Sequence, residues 1–322
     1  MFHPTFRFYK IRDDLGCPTP ALSRRRSVDG GDSHLTLAEA MTRAASSQSY
    51  YTIRYLADRP LVEDAYRAYA YFRWVDDMVD QEKLNQAERL AFLTRQQEII
   101  ERCYQGQRLE GLSQEEQMAA ELVYSDNAGE YSGLRTYIDK MMWVITFDAR
   151  RRGALVNESE LNDYSHCLAA AVTEVLHHFI GHEDYSPDDK TRYLAVTGAH
   201  ITHLLRDTIE DTAAGYYNIP QEYLETHGIA PTDVNHEAFR EWVKNRVKLA
   251  RYYFEAGRAY LPRVENFRCR LAGFGYIGRF EIILDAIERD NYRLRPAYPE
   301  RKSKKHMLKI ALTALTNSMV KK

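Results

Sequence analysis

No stretch of this chain alternates apolar and polar residues long enough to make a strand. From Thr36 onward the strong helix formers Ala, Leu, Glu, Arg and Gln dominate, and proline is almost absent between Pro60 and Pro187. The pattern predicts helices over 37–54, 60–81, 85–105, 114–126, 130–150, 158–181, 188–214, 234–260, 273–289 and 304–319. Pro60 suits a first helical turn, and Pro187-Asp188-Asp189 puts acids at a helix N-terminus. Gly215 and Pro220 stop the longest helix and open a turn-rich segment over 215–233. Residues 1–35 break the pattern with Pro4, Pro18, Pro20, Arg24-Arg25-Arg26 and Gly30-Gly31. They read as a poorly ordered arm, docked if at all by Phe2, Phe6, Phe8 and Tyr9. The expected architecture is all-α: one helical domain over 36–300, followed by a basic amphipathic helix within 301–322.

Composition narrows the class. With 44% hydrophobic and 28% charged residues the chain can bury a core. A net charge of −2 argues against a nucleic-acid binder built on a global basic surface. The four cysteines, Cys17, Cys103, Cys167 and Cys269, are far apart and form no C-x-x-C, which fits a reducing compartment. The sequence offers neither an obvious membrane span nor an apolar leader. The expected location is cytoplasmic, with peripheral membrane contact through the C-terminal helix. There Lys304, Lys305, Lys309, Lys321 and Lys322 surround Leu308, Ile310, Leu312 and Leu315.

The candidate chemistry lies in two aspartate pairs. Asp76 and Asp80 are i, i+4, so both carboxylates leave one helix face about a turn apart. Asp207 and Asp211 repeat the spacing. A lone D-x-x-x-D is usually a solvated helix face. Here the first pair sits among Tyr69, Tyr71, Phe72, Trp74 and Val75, and Arg73 and Arg206 precede their aspartates as ligands of a diphosphate would. Clustered carboxylates repel one another unless cations are present. Magnesium suits them: it takes hard oxygen ligands and is shared between a few carboxylates and substrate phosphates.

Together these segments resemble the squalene/phytoene synthase family. The likeness runs over roughly 45–295. It rests on Ser47-Gln48-Ser49-Tyr50-Tyr51, on Ala65 through Asp80, on Leu204 through Asp211, on Gly215 to Pro220, and on Asn291-Tyr292-Arg293-Leu294. The two aspartate motifs, in order and about 130 residues apart, make the signal specific. The resemblance implies a helical prenyl synthase fold with a central cavity. It also implies a trinuclear magnesium site on Asp76, Asp80, Asp207 and Asp211, and head-to-head joining of two farnesyl or geranylgeranyl diphosphates through a cyclopropyl intermediate. Carried over by position, Ser47, Ser49, Tyr50, Tyr69, Arg73 and Arg206 would contact the prenyl diphosphate substrate, with Tyr69 and Arg73 also acting in catalysis. Tyr164 would line the reacting centre. Squalene-forming relatives use NADPH, for which no motif is present here.

The chain departs from the family near the reaction centre. His200 and His203 stand where the family usually carries amides, on one helix face with Asp207 and Asp211. They could ligate metal, donate protons or bind pyrophosphate as cations, or simply be hydrogen-bonded in the bundle wall. Ala170 and Thr173 replace glycines, Tyr216 and Asn218 replace an arginine and a tyrosine, and Phe280 replaces a tyrosine. These changes keep two other readings open: a terpene cyclase or atypical synthase acting on a single prenyl diphosphate, and a non-catalytic binding protein that kept the fold. Two further signals carry less. Gly273-x-Gly275-x-x-Gly278 lacks the preceding strand a dinucleotide fingerprint needs and reads as a flexible helix start. His177, His178 and His182, with Glu183 and Asp184, hint only faintly at a second metal site.

Overall fold

The computed structural model describes residues 36–319 other than 82, 127–131 and 183. Among the described residues there are twelve α-helices and no strand. They are α1 (Leu37–Ala45), α2 (Ser47–Leu56), α3 (Val62–Val79), α4 (Gln86–Tyr104), α5 (Gln114–Ser125), α6 (Gly133–Arg151), α7 (Glu158–Phe179), α8 (Leu194–Ala213), α9 (Gln221–His227), α10 (Glu237–Tyr260), α11 (Phe267–Arg289) and α12 (Lys304–Ser318). The expected arm over 1–35 lies outside the described residues.

Most helices start where the sequence offers a cap. Asn85 with Glu88, Ser113 with Glu116 and Asn157 with Glu160 form capping boxes that satisfy the first free N–H groups of α4, α5 and α7. Four expectations need correction. The helix expected over 37–54 breaks at Ser46, whose extended backbone ends α1 and whose hydroxyl accepts from the Ser49 N–H to start α2. Pro60 lies in a short 3-10 turn, and α3 begins after it. The helix expected from 188 begins only at Leu194, because Asp189 accepts from the Thr191 N–H and hydroxyl and pairs with Arg263, which holds the segment in a turn. No acid therefore sits in the first turn of α8. Inside the segment read as turns, 221–227 is helical and ends on Gly228 at φ +60°.

The glycine triplet also moves. Asn266 caps α11 six residues earlier than expected, which puts Gly273, Gly275 and Gly278 inside the helix. A Cβ on Gly273 would lie 2.4 Å from Leu261, and one on Gly278 would lie 3.3 Å from Ile310 of α12. These glycines serve close helix packing, and no strand precedes them.

The helix contacts close into a ring: α2 touches α3, α3 touches α6, then α7, α8, α11 and back to α2. α1, α4 and α5 pack outside one arc, and α10 and α12 outside the other. In this ring α3 and α8 stand opposite each other. Tyr71, Phe72, Tyr164 and Phe280 are among its fully buried side chains. Each aromatic removes a large apolar area from water and stiffens the wall.

The α8–α10 seam depends on two glycines. A Cβ on Gly257 would lie 2.6 Å from that of Ala195, and one on Gly198 would lie 3.0 Å from the Ala250 carbonyl. Gly257→Ala should therefore cost about 1–3 kcal/mol through overpacking, measured as a lower urea midpoint at unchanged slope. Adding Ala195→Gly should recover part of the loss. No recovery would show that the seam is not what Gly257 protects.

Candidate active site

Hydrogen bonds fix both aspartate motifs at one end of the ring. The last turn of α3 carries Asp76, Asp77 and Asp80, and the Asp80 N–H donates to the Asp76 carbonyl. Arg89 of α4 donates to the Val79 and Gln81 carbonyls just beyond, and Gln86 donates to the Arg150 carbonyl at the end of α6. From there Arg151 donates to Asn218 at 2.9 Å, and Asn218 donates to Asp211 at 2.7 Å. The Gly153 N–H to Gly215 carbonyl bond ties the same two segments. The C-terminal ends of α3 and α8 therefore face one end of the bundle from opposite sides.

The placement is electrostatically costly. Acids stand at the C-termini of two helices, where the dipole is already negative, and neither helix has a basic residue in its last turn. Arg73 pairs with Asp77, with Nε to Oδ2 at 2.9 Å. Arg206 chelates Asp207 through both nitrogens. Burial pushes the Asp207 carboxyl up, but His203 and the Arg206 guanidinium beside it more than reverse this and hold it well below the usual carboxylate range.

Two arginines that the sequence reading passed over complete this corner. Burial, then Arg301 and Arg206, push Arg279 of α11 down to about 9. Burial and Arg206 push Arg301, in the 3-10 turn Pro299–Lys302, down to about 10, with Asp207 opposing. Arg206 and Arg301 thus lie near one carboxylate, and Arg279 lies near both arginines, an arrangement that favours a further anion. The available signal was Arg279 itself, a charge set between Ile277 and Phe280 on an apolar helix.

On the α3 side, the Tyr69 hydroxyl lies beside Ser49 and Ser46, one turn before Arg73; burial raises its pKa and Ser49 opposes. Ser49, Tyr69 and Arg73 are thus brought together. Ser47 is exposed at the start of α2. Tyr50 turns away: it stacks on Tyr66, donates to Glu39 and accepts from Arg54.

Tyr164 is completely buried and donates to Asp148 at 2.7 Å. The Arg151 guanidinium, paired with Asp148, lies 5.0 Å from the Tyr164 ring and 5.4 Å from that of Tyr216. Tyr164, Asp148, Arg151, Asn218 and Asp211 form one buried polar chain. Its hub, Arg151, hides in the run Arg150-Arg151-Arg152, where sequence alone does not say which arginine turns inward. His200 meets Tyr164 edge-on at 5.0 Å and shares a 3.1 Å hydrogen bond with Ser165. His203 Nε2 lies 2.7 Å from Asp207 Oδ2. Burial, then neighbouring positive charge, pushes His200 well below the ordinary imidazole value and His203 down to about 4. Burial thus favours the neutral imidazole at both positions near neutral pH. We take His203 as a neutral partner of Asp207, because Arg206 already neutralises that carboxylate.

A scan of family models matches residues 42–307 to squalene/phytoene synthase. The chain belongs to the squalene/phytoene synthase family. It is 27% identical over 222 residues to a bifunctional lycopene cyclase/phytoene synthase from Aspergillus oryzae, covering 62% of this chain and 38% of that one. It is 26% identical over 191 residues to a presqualene diphosphate synthase from Rhodopseudomonas palustris, covering 59% and 64%. A 15-cis-phytoene synthase from Synechocystis is 32% identical over 120 residues, covering 35% of each. In each case the match spans less than two thirds of the relative. The fold matches the crystal structure of squalene synthase HpnC from Alicyclobacillus acidocaldarius at TM-score 0.63 and 20% identity, covering 80% of this chain and 94% of that one.

The donor set of this family member fits magnesium, since all four motif side chains offer hard carboxylate oxygens at one end of the ring. No group of three or more His, Cys, Asp or Glu side chains forms a ready cluster among the described residues. Nor do His177 and His178 form one: His177 contacts Tyr260 and Cys269, and His178 contacts His182. Glu183 lies outside the described residues.

Asn218→Leu removes the bond that orients Asp211 and strands Arg151. It should cost about 1–3 kcal/mol of stability. Asp211→Asn made in that background should cost less than it does alone, by a coupling of roughly 0.5–3 kcal/mol. Strict additivity would show that the two side chains do not act together.

Proposed function

We propose that this protein is a magnesium-dependent prenyltransferase that condenses two allylic prenyl diphosphates, farnesyl or geranylgeranyl, head-to-head with release of diphosphate. The observation that carries the reading is the placing of Arg206 and Arg301 beside Asp207, with Arg279 near both arginines, at the bundle end where both aspartate motifs lie. A diphosphate would relieve the repulsion among those cations. Magnesium held by Asp76, Asp80, Asp207 and Asp211 would neutralise the leaving diphosphate. The protein's part is to bind and orient the phosphates through its arginines, with Ser49, Tyr69 and Arg73 approaching from the α3 side. Buried aromatic groups, Tyr164 and Phe280 among them, line the wall and exclude water from an allylic cation. The family match and the named relatives support this reaction class. Prenyl chains partition into bilayers, which brings peripheral membrane contact through α12 into the same reading.

One observation favours a single-substrate reaction instead. Thr173, where the family has glycine, adds a buried hydroxyl with no hydrogen-bond partner among the described residues, and so reshapes that wall.

Incubation with magnesium and C10, C15 or C20 diphosphates, with and without NADPH, separates the two by mass spectrometry. The expected product is a C30 or C40 hydrocarbon or a cyclopropyl diphosphate. A cyclic product from one substrate would transfer the assignment to a cyclase, and no diphosphate release would sink both. Asp80→Ala or Asp207→Ala should abolish turnover. Arg279→Ala should raise KM about ten- to a hundredfold, and an unchanged KM would remove Arg279 from the substrate site.

A further inference from the structure

The outer face of α12 is apolar and uncovered. Leu308, Leu312, Leu315 and Met319 are spaced four, three and four apart, so they form one stripe, and they are 62%, 56%, 39% and 67% exposed. On α2, Tyr51 and Tyr55 are stacked and exposed. Between α2, α11 and α12 lies an open groove of about 180 Å³, walled by Thr52, Leu56, Leu271 and Ile310 and reaching Arg279. Arg279 lies near Arg206 and Arg301, the two arginines beside Asp207. The groove thus joins the uncovered face to the anion-binding corner.

Charge decides what covers this face. From Ser303 to Lys322 the sequence holds five lysines and no acid. A second copy laid face to face would oppose the same lysines. Segment 1–35 carries six Arg and Lys against four Asp, so it is basic too. An anionic lipid surface is complementary on both counts, taking the leucines into its apolar margin and the lysines against its headgroups.

We propose that the α12 face docks on an anionic bilayer, and that the groove between α2, α11 and α12 is the passage for prenyl chains between that bilayer and the active site. The passage rests on the prenyltransferase reading; the docking does not.

The test is co-sedimentation of the full chain with phosphatidylcholine vesicles, with and without phosphatidylserine. Binding should rise on the order of tenfold with phosphatidylserine and fall as salt is added. Leu312→Glu with Leu315→Glu should reduce it on the order of tenfold, with the circular dichroism spectrum and turnover on detergent-dispersed substrate unchanged. Equal binding to both vesicles, binding to neither, or binding that survives both substitutions would overturn the docking. So would a dimer in sedimentation velocity that the same substitutions dissolve, which would give the face to a second copy. For the passage, Thr52→Trp should slow turnover several-fold on vesicle-borne substrate with vesicle binding intact; undiminished turnover refutes it. If the wild-type chain binds phosphatidylserine vesicles but turns over no prenyl diphosphate, the docking stands and the catalytic reading is what has failed.

Discussion

Carboxylates at the negative ends of two opposed helices are the constraint around which this protein is built. A helix C-terminus prefers a cation, yet α3 ends on Asp76, Asp77 and Asp80, and α8 on Asp207, Glu210 and Asp211. Folding must bring both ends to the same side of the ring, which compounds the repulsion. The compensation is specific: Arg73 on Asp77, Arg206 on Asp207, and Asn218 on Asp211. Each orients one carboxylate through a defined hydrogen bond. On the proposed reading, a metal diphosphate would bring divalent charge to the acids and an anion to the arginines at once.

The chain connecting Asp211 to the interior shows how such a site is kept in register. Arg151 is buried, which is tolerable only because Asp148, Asn218 and the Tyr217 carbonyl satisfy its donors while Tyr164 and Tyr216 lie against its faces. Tyr216 and Asn218 are the positions at which the sequence leaves the family pattern. In the structure they are the ring that packs on Arg151 and the amide that bridges it to Asp211. An arginine from α6 thus reaches the corner from which the motif's own arginine is missing.

Much of this was legible in the sequence. Helical content, the two aspartate pairs and the all-α class follow from composition and i, i+4 spacing, because these are local properties. What was not legible is long-range or depends on one side chain overriding propensity. Ser46 breaks a helix by capping the next, and Asp189 holds a turn through Arg263, 74 residues away. Arg279 and Arg301 are 22 residues apart and meet Arg206 only in three dimensions, so no local spacing marks them as a cluster. Tyr50, within a motif segment, faces away because Glu39 and Tyr66 satisfy it elsewhere. Motif membership gives a residue's neighbourhood, not its direction.

The two histidines show how a departure from the family can leave the chemistry intact. Placed beside Arg206 and Arg151 and sealed from water, His200 and His203 cannot afford a second proton. A neutral imidazole has one donor and one acceptor, which is the hydrogen-bonding character of the amide it replaces. His203 spends one nitrogen on Asp207, and His200 shares one with Ser165. The substitution changes the shape of the wall and keeps its charge, so the balance between acids, arginines and metal diphosphate is set by the aspartates and guanidiniums alone. On the proposed reading, selectivity among prenyl diphosphates would then fall to the shape of that wall, where Ala170, Thr173 and Phe280 also differ, and not to a new ionisable group.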